Sequence, residues 1–158
     1  MKVRIEEKVA FKVAGITMAA KPDSNFMKLW GDLFEIASKE TLSAIGVGDG
    51  KSYGSCYDAK SDGSFMYMAG YDVIDDEKAE QLNLEILEVP QATYAIFELT
   101  GPLPNNIKNG WHEAMHNYFP ENGYRHAGTP DFEVYFPGDM QSENYEMELW
   151  IPVKKKDA

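Results

Sequence analysis

Asp131-Phe132-Glu133-Val134-Tyr135-Phe136 and Tyr145-Glu146-Met147-Glu148-Leu149-Trp150-Ile151 both alternate apolar and polar side chains. A period of two belongs to a strand, whose successive side chains leave opposite faces. Pro137-Gly138-Asp139 supplies turn chemistry in the connection. In the first stretch Phe132, Val134 and Phe136 share one face, and Glu133 and Tyr135 the other. In the second, Met147, Leu149 and Ile151 share a face, and Glu148 and Trp150 the opposite one. With the aliphatic faces turned toward helices, the alternation predicts that Glu133, Tyr135, Glu148 and Trp150 gather on the helix-free face. Two carboxylates among ring faces attract lipophilic cations through charge and cation–π attraction. The same pair suits acid–base chemistry where burial raises one pKa. A sheet face carrying ordinary solvated glutamates is the simpler alternative.

Working outward, residues 3–20 read as one strand, with Val9, Phe11 and Val13 alternating with Lys8, Ala10 and Lys12. Pro22-Asp23-Ser24-Asn25 is a helix-start signal. Leu29, Leu33 and Ile36, beside Trp30 and Phe34, then recur at helical spacing to about Gly46. Strands follow at 52–58 and 65–74, then at 84–89 and 93–99. A helix is expected over about 105–118, and the last two strands over 131–136 and 145–153. The order strand, helix, strand, strand occurs twice, at about 1–80 and 81–158, and no Gly/Ser-rich linker divides the two. This predicts a single α+β domain. A duplicated strand-helix-strand-strand unit builds a mostly antiparallel sheet, with two helices on one face and the other left for water or a ligand cleft.

Composition narrows the function. Lys and Arg number 15 against 26 Asp and Glu, a net charge of −11, which argues against direct nucleic-acid binding. Apolar runs fall far short of a membrane span, and the first residues lack the apolar core of a secretory signal. A cytoplasmic protein that needs no cofactor is the expectation. Cys56 is the one cysteine, so an internal disulfide and a Cys-rich zinc site are excluded, and it reads as a small buried hydrophobe. Aromatics make up 13% of the chain, nine of them Tyr, a surplus that suits an amphipathic pocket.

His112-Glu113-Ala114-Met115-His116 is formally an H-E-x-x-H helix motif, in which two histidines hold zinc and the glutamate acts as base. The stripe Ile107, Trp111, Met115 and Tyr118 already provides a core face, which leaves His112 and His116 at its edge. A third protein ligand is also needed, and His126 lies beyond Pro120 in a turn-like stretch. A zinc hydrolase is therefore the remote reading, and edge histidines the main one.

Tyr94-Ala95-Ile96-Phe97-Glu98-Leu99-Thr100-Gly101-Pro102, Trp111 and Phe119-Pro120-Glu121-Asn122-Gly123-Tyr124 together resemble the GyrI-like small-molecule-binding domain. Phe132-Glu133-Val134-Tyr135 and Glu148-Leu149-Trp150-Ile151-Pro152-Val153 are similar to its last two strands, and Ala69-Gly70-Tyr71-Asp72-Val73 to the end of its first repeat. The resemblance spans essentially the whole chain. That domain occurs fused to AraC-type and MerR-type transcription regulators and also alone. It implies a ligand cleft between the repeats, with a central glutamate and aromatics that receive lipophilic cations. Glu133 matches the cation-sensing glutamate, with Tyr135 as its same-face neighbour. Tyr53 and Tyr67 match pocket tyrosines, and Phe26 matches one on the first helix, without its hydroxyl. Tyr145 matches another, and by strand parity would need a bulge to reach the site.

The resemblance thus implies a stand-alone binding domain without a DNA-binding segment, used for sensing or sequestering hydrophobic cations. Glu133 and Glu148 would supply charge; Tyr53, Tyr67, Tyr135, Trp150 and Trp111 would form walls, with Phe26 at the rim. It also implies two alternatives. One is a hydrolase of reactive electrophiles, using Glu148 or Glu133 with Tyr67 or Tyr53. The other is an interaction protein acting on gyrase or on a regulator.

Overall fold

The computed structural model describes residues 1–157. The first expected strand is in fact two, β1 (Lys2–Lys8) and β2 (Phe11–Ala20), and they lie toward opposite ends of the sheet. Next come helices α1 (Phe26–Ile36) and α2 (Lys39–Ala44), strands β3 (Ser52–Tyr57) and β4 (Phe65–Asp72), and a short α3 (Asp76–Gln81). The second half holds β5 (Glu85–Val89), β6 (Ala92–Thr100), α4 (Asn105–Glu113), a π-helical segment (Ala114–Tyr118) and α5 (Phe119–Asn122). Strands β7 (Tyr124–His126), β8 (Asp131–Tyr135) and β9 (Glu146–Lys155) complete it.

The single helix expected to run to about Gly46 divides because Ser38 starts a new one, its hydroxyl accepting from the Thr41 amide. Asn25 caps α1 in the same way, accepting from the Lys28 amide at 3.2 Å. Helical path also continues past Tyr118, where the sequence signals suggested an end. Pro120 has no N–H and a bulky ring, and the π segment before it takes up both. Gly123, at φ 66°, then ends α5 in the left-handed region.

The strand order is β1-β6-β9-β8-β3-β4-β2-β5, with β7 pairing β9, and every pairing is antiparallel. The order is unchanged when β1, β2, β3 and β4 are exchanged with β5, β6, β8 and β9. The two halves are therefore related by a pseudo-two-fold axis at the β3–β8 pair, and each half gives its first strand to the other's edge.

This exchange curls the sheet. Only Val9 and Ala10 link β1 to β2, and only Pro90 and Gln91 link β5 to β6. Lys8 and Phe11 thus lie within about 11 Å although they belong to opposite ends of the strand order. The helix-free face is consequently the inside of a curl, filled by side chains that include Val13, Met68, Tyr94, Ile96, Phe132, Val134 and Trp150. The outer face carries two further cores. One lies under α1 and α2 around Leu33, Leu42 and Tyr67; the other lies under α4 and its continuation around Phe97, Leu149 and Ile151.

Candidate functional site

Register decides which candidate side chains meet. β8 and β9 pair Phe132 with Trp150, Glu133 with Leu149 and Val134 with Glu148. Glu133 and Tyr135 therefore share the helix-bearing face with Leu149 and Met147, while Glu148 and Trp150 point into the curl with Phe132 and Val134. The expected single patch on the helix-free face does not exist, because both faces of the sheet bury apolar side chains. The apolar residues of β8 fill the inside, and those of β9 fill the helix side. Apolar character alone cannot assign a face in such a sheet.

Glu133 lies at the seam between the halves, opposite Gly54 of β3. The same face brings Cys56, paired with Asp131, and Tyr67 of β4, paired with Cys56. Gly54 makes the room: a methyl there would stand 2.4 Å from the Tyr67 hydroxyl and 3.1 Å from Glu133 Oε1. From above, α1 contributes Phe26 and Trp30, one helical turn apart. Trp30 Nε1 donates to the Tyr67 hydroxyl at 2.9 Å, and its ring meets Tyr135 edge-on at 5.7 Å. Phe26 packs on Tyr67 at 4.5 Å and stacks on Phe65 at 6.3 Å. The Tyr135 hydroxyl donates to Glu133 Oε1 at 2.8 Å.

The electrostatics of this cluster share one sign. Desolvation pushes the Glu133 carboxyl up to about 7, against the Tyr135 hydrogen bond and with help from Asp131. Desolvation likewise raises Tyr67 and Tyr135 well above the usual phenol value, Glu133 adding to both. Asp131 is raised by burial and held back by His126, whose Nε2 lies 3.0 Å from Asp131 Oδ2. The Gly128 amide donates to His126 Nδ1 at 2.9 Å, so in the neutral ring Nε2 carries the proton and donates to Asp131. Burial raises the Cys56 thiol, which keeps it protonated. Anions are costly throughout this cluster, and a cation placed here would lower the cost of each.

The remaining candidates lie elsewhere. Glu148 is buried and already satisfied: Trp150 Nε1 donates to Oε1 at 2.9 Å, and Arg4 pairs with Oε2 at 3.0 Å. Tyr53 points into the curl, 5.7 Å from the Trp150 ring. Trp111 packs on the core beneath α4. Tyr145 reaches the helix-bearing face without a bulge, because the β8–β9 register is continuous, and its hydroxyl donates to the Phe136 carbonyl at 2.8 Å. His112 and His116, on α4 and the π segment, have ring centroids 4.4 Å apart and tilted by 32°, and no cluster of three metal-ligating side chains occurs among the described residues. Sequence reasoning missed Trp30, Phe65, Asp131 and His126 as neighbours of Glu133. The signal for Trp30 was present: Phe26, Trp30 and Phe34 recur every fourth residue beside the buried stripe of Leu29 and Leu33.

Comparison with known proteins agrees with this architecture. Residues 1–154 match the GyrI-like small molecule binding domain, and the chain belongs to that family. The structure of SAV2435 bound to tetraphenylphosphonium is similar at a TM-score of 0.81, with 21% identity, over 98% of this chain and 94% of that one. A hydrolase from Listeria innocua is similar at a TM-score of 0.62, with 14% identity, over 97% and 92% of the two chains. A DNA gyrase inhibitor of Erwinia billingiae is 31% identical over 81 residues, a match spanning 51% of this chain and 50% of that protein.

Proposed function

We propose that this domain binds a lipophilic organic cation in the cleft between α1 and the β3–β8 seam, with Glu133 as counter-charge. The observation that carries the proposal is the position of Glu133, recessed beneath Phe26, Trp30, Tyr67 and Tyr135 with its carboxyl raised to about 7 by desolvation. A carboxyl in that state gains most from a cation that brings no tightly held water of its own. Aromatic faces add cation–π attraction and apolar contact. The cation in the SAV2435 structure, tetraphenylphosphonium, belongs to this chemical class. Trp30 sits within the cleft, so titration with tetraphenylphosphonium followed by indole fluorescence tests the reading. Saturable binding weakened about tenfold or more in Glu133→Gln supports it. Binding that is indifferent to Glu133→Gln removes it.

A carboxyl titrating near 7 beside a phenol also favours a second reading, hydrolysis of a reactive electrophile, with Glu133 as general acid or base and Tyr135 sharing its proton. Turnover that is lost in Glu133→Gln, while a neutral substrate analogue still binds, would establish it. Absence of turnover across epoxide, strained-ring and activated-ester substrates would leave the binding function alone.

A further inference from the structure

Inside the mouth of the curl, on the side of the sheet opposite Glu133, lies a groove of ≈ 700 Å³, the size of a small-molecule site. Consecutive residues of β3 separate the two places: Tyr53 faces the groove and Gly54 faces Glu133. Phe11, Tyr53 and Trp150 form an aromatic floor, with ring centroids 5.7 to 6.4 Å apart. Three of the most exposed aliphatic side chains of the described residues stand at its rim: Val9 (77% exposed), Val47 (62%) and Ile74 (70%). Isolated exposed aliphatics are ordinary, but their convergence around an aromatic floor marks a binding surface.

The charges at the groove point to one ligand class. Glu6, Glu7, Asp72 and Asp76 line it, against Lys8 and Lys12. Lys12 is held by Asp76 at 2.6 Å, so carboxylates remain in excess. Lys8 shows how the floor receives an ammonium. Its Nζ stands 4.3 Å from the Trp150 ring centroid and 2.5 Å from Glu6 Oε2. That ring is fixed, because its Nε1 donates to the buried Glu148.

We propose that this groove is a second binding site, for a small organic ammonium carried on an apolar body, and that Lys8 occupies its cation position when no ligand is present. The incoming ammonium takes the Trp150 face and the Glu6 carboxylate, Lys8 swings out to solvent, and the apolar body lies against Val9, Val47 and Ile74.

The test is an NMR titration of the full chain with phenyltrimethylammonium, following the methyl groups of Val9, Val47 and Ile74 and the Trp150 indole. These signals should move saturably, with the same midpoint in wild type and in Glu133→Gln, which separates the groove from the Glu133 cleft. Lys8→Ala removes the tethered competitor and should tighten binding about fivefold; Glu6→Gln should weaken it about fivefold. Both positions are partly exposed, so both variants should fold. tert-Butylbenzene, the neutral isostere, should bind at least about fivefold more weakly. Groove signals that do not saturate overturn the proposal. So does a neutral isostere that binds equally well, which would mark an apolar docking surface, or an affinity unchanged by Lys8→Ala.

Discussion

Tyr135 and Glu133 lie two residues apart on β8, and the tyrosine hydroxyl donates to the glutamate across that gap at 2.8 Å. The bond stabilises the carboxylate, yet desolvation outweighs it and the carboxyl still titrates near 7. Glu133 is therefore protonated in much of the protein at neutral pH, and on the proposed function a bound cation would ionise it.

Binding of tetraphenylphosphonium should accordingly depend on pH. The cation requires the ionised form, so affinity should be constant above about pH 8 and fall as pH drops through 7. The limit is about tenfold per pH unit, until the pKa of the bound state is reached. Isothermal titration in buffers of different ionisation enthalpy should also detect proton release on binding near neutral pH.

Stability should move the other way. The folded-state pKa of Glu133 lies above its ordinary value of 4.5, so the folded state takes up the proton first as pH falls. The neutral carboxyl is accommodated below 4.5. As pH rises from 4.5 through 7, folding loses stability, and it stays lower above 7. Glu133→Gln should therefore stabilise the empty protein by about 3 kcal/mol at pH 8, and by little at pH 4. Denaturant melts at the two pH values would measure the difference.

Gly54→Ala should disrupt the proposed cation site. The added methyl would stand 2.4 Å from the Tyr67 hydroxyl, so that ring or β3 must shift. Overpacking of this kind costs about 1–3 kcal/mol. Cation affinity should fall about tenfold or more at full occupancy of the folded state, as measured by fluorescence titration under native conditions.

Glu148→Gln should separate structure from binding. It breaks the pair with Arg4 beside the buried Trp150 indole, at a cost of about 1–3 kcal/mol. The Glu133 cleft lies across the sheet, so tetraphenylphosphonium affinity should change by less than about twofold. A large loss of affinity without loss of stability would place the cation inside the curl instead.

The last two long strands, the repeat of element order and the α+β class were legible because hydrophobic period and turn chemistry are local. Glu133 and its same-face neighbour Tyr135 were legible, but Trp30, Phe65, Asp131 and His126 beside them, and the face that Glu133 takes, were not. Phe132 and Leu149 are equally apolar, and only register shows that they face opposite ways. The break at Val9-Ala10 was hidden for the same reason: the alternation runs across it from Lys8 to Val13, although the chain there passes from one edge of the sheet toward the other. Long-range pairing, which no short window of sequence contains, decided both.

The reciprocal placement of β1 and β5 bears on how such a site arises. A chain holding one half alone would own a first strand with no partner and an edge with no cover, and two copies would satisfy each other as a strand-swapped dimer with the same strand order. In that dimer the seam would be symmetric, and a glutamate on one side would face its own copy. Joining the halves in one polypeptide releases that constraint. Here one half supplies the carboxylate at Glu133 and the other a residue without a side chain at Gly54, which lets the Tyr67 hydroxyl come in beside it, so the cluster depends on divergence between the two copies as much as on their shared fold.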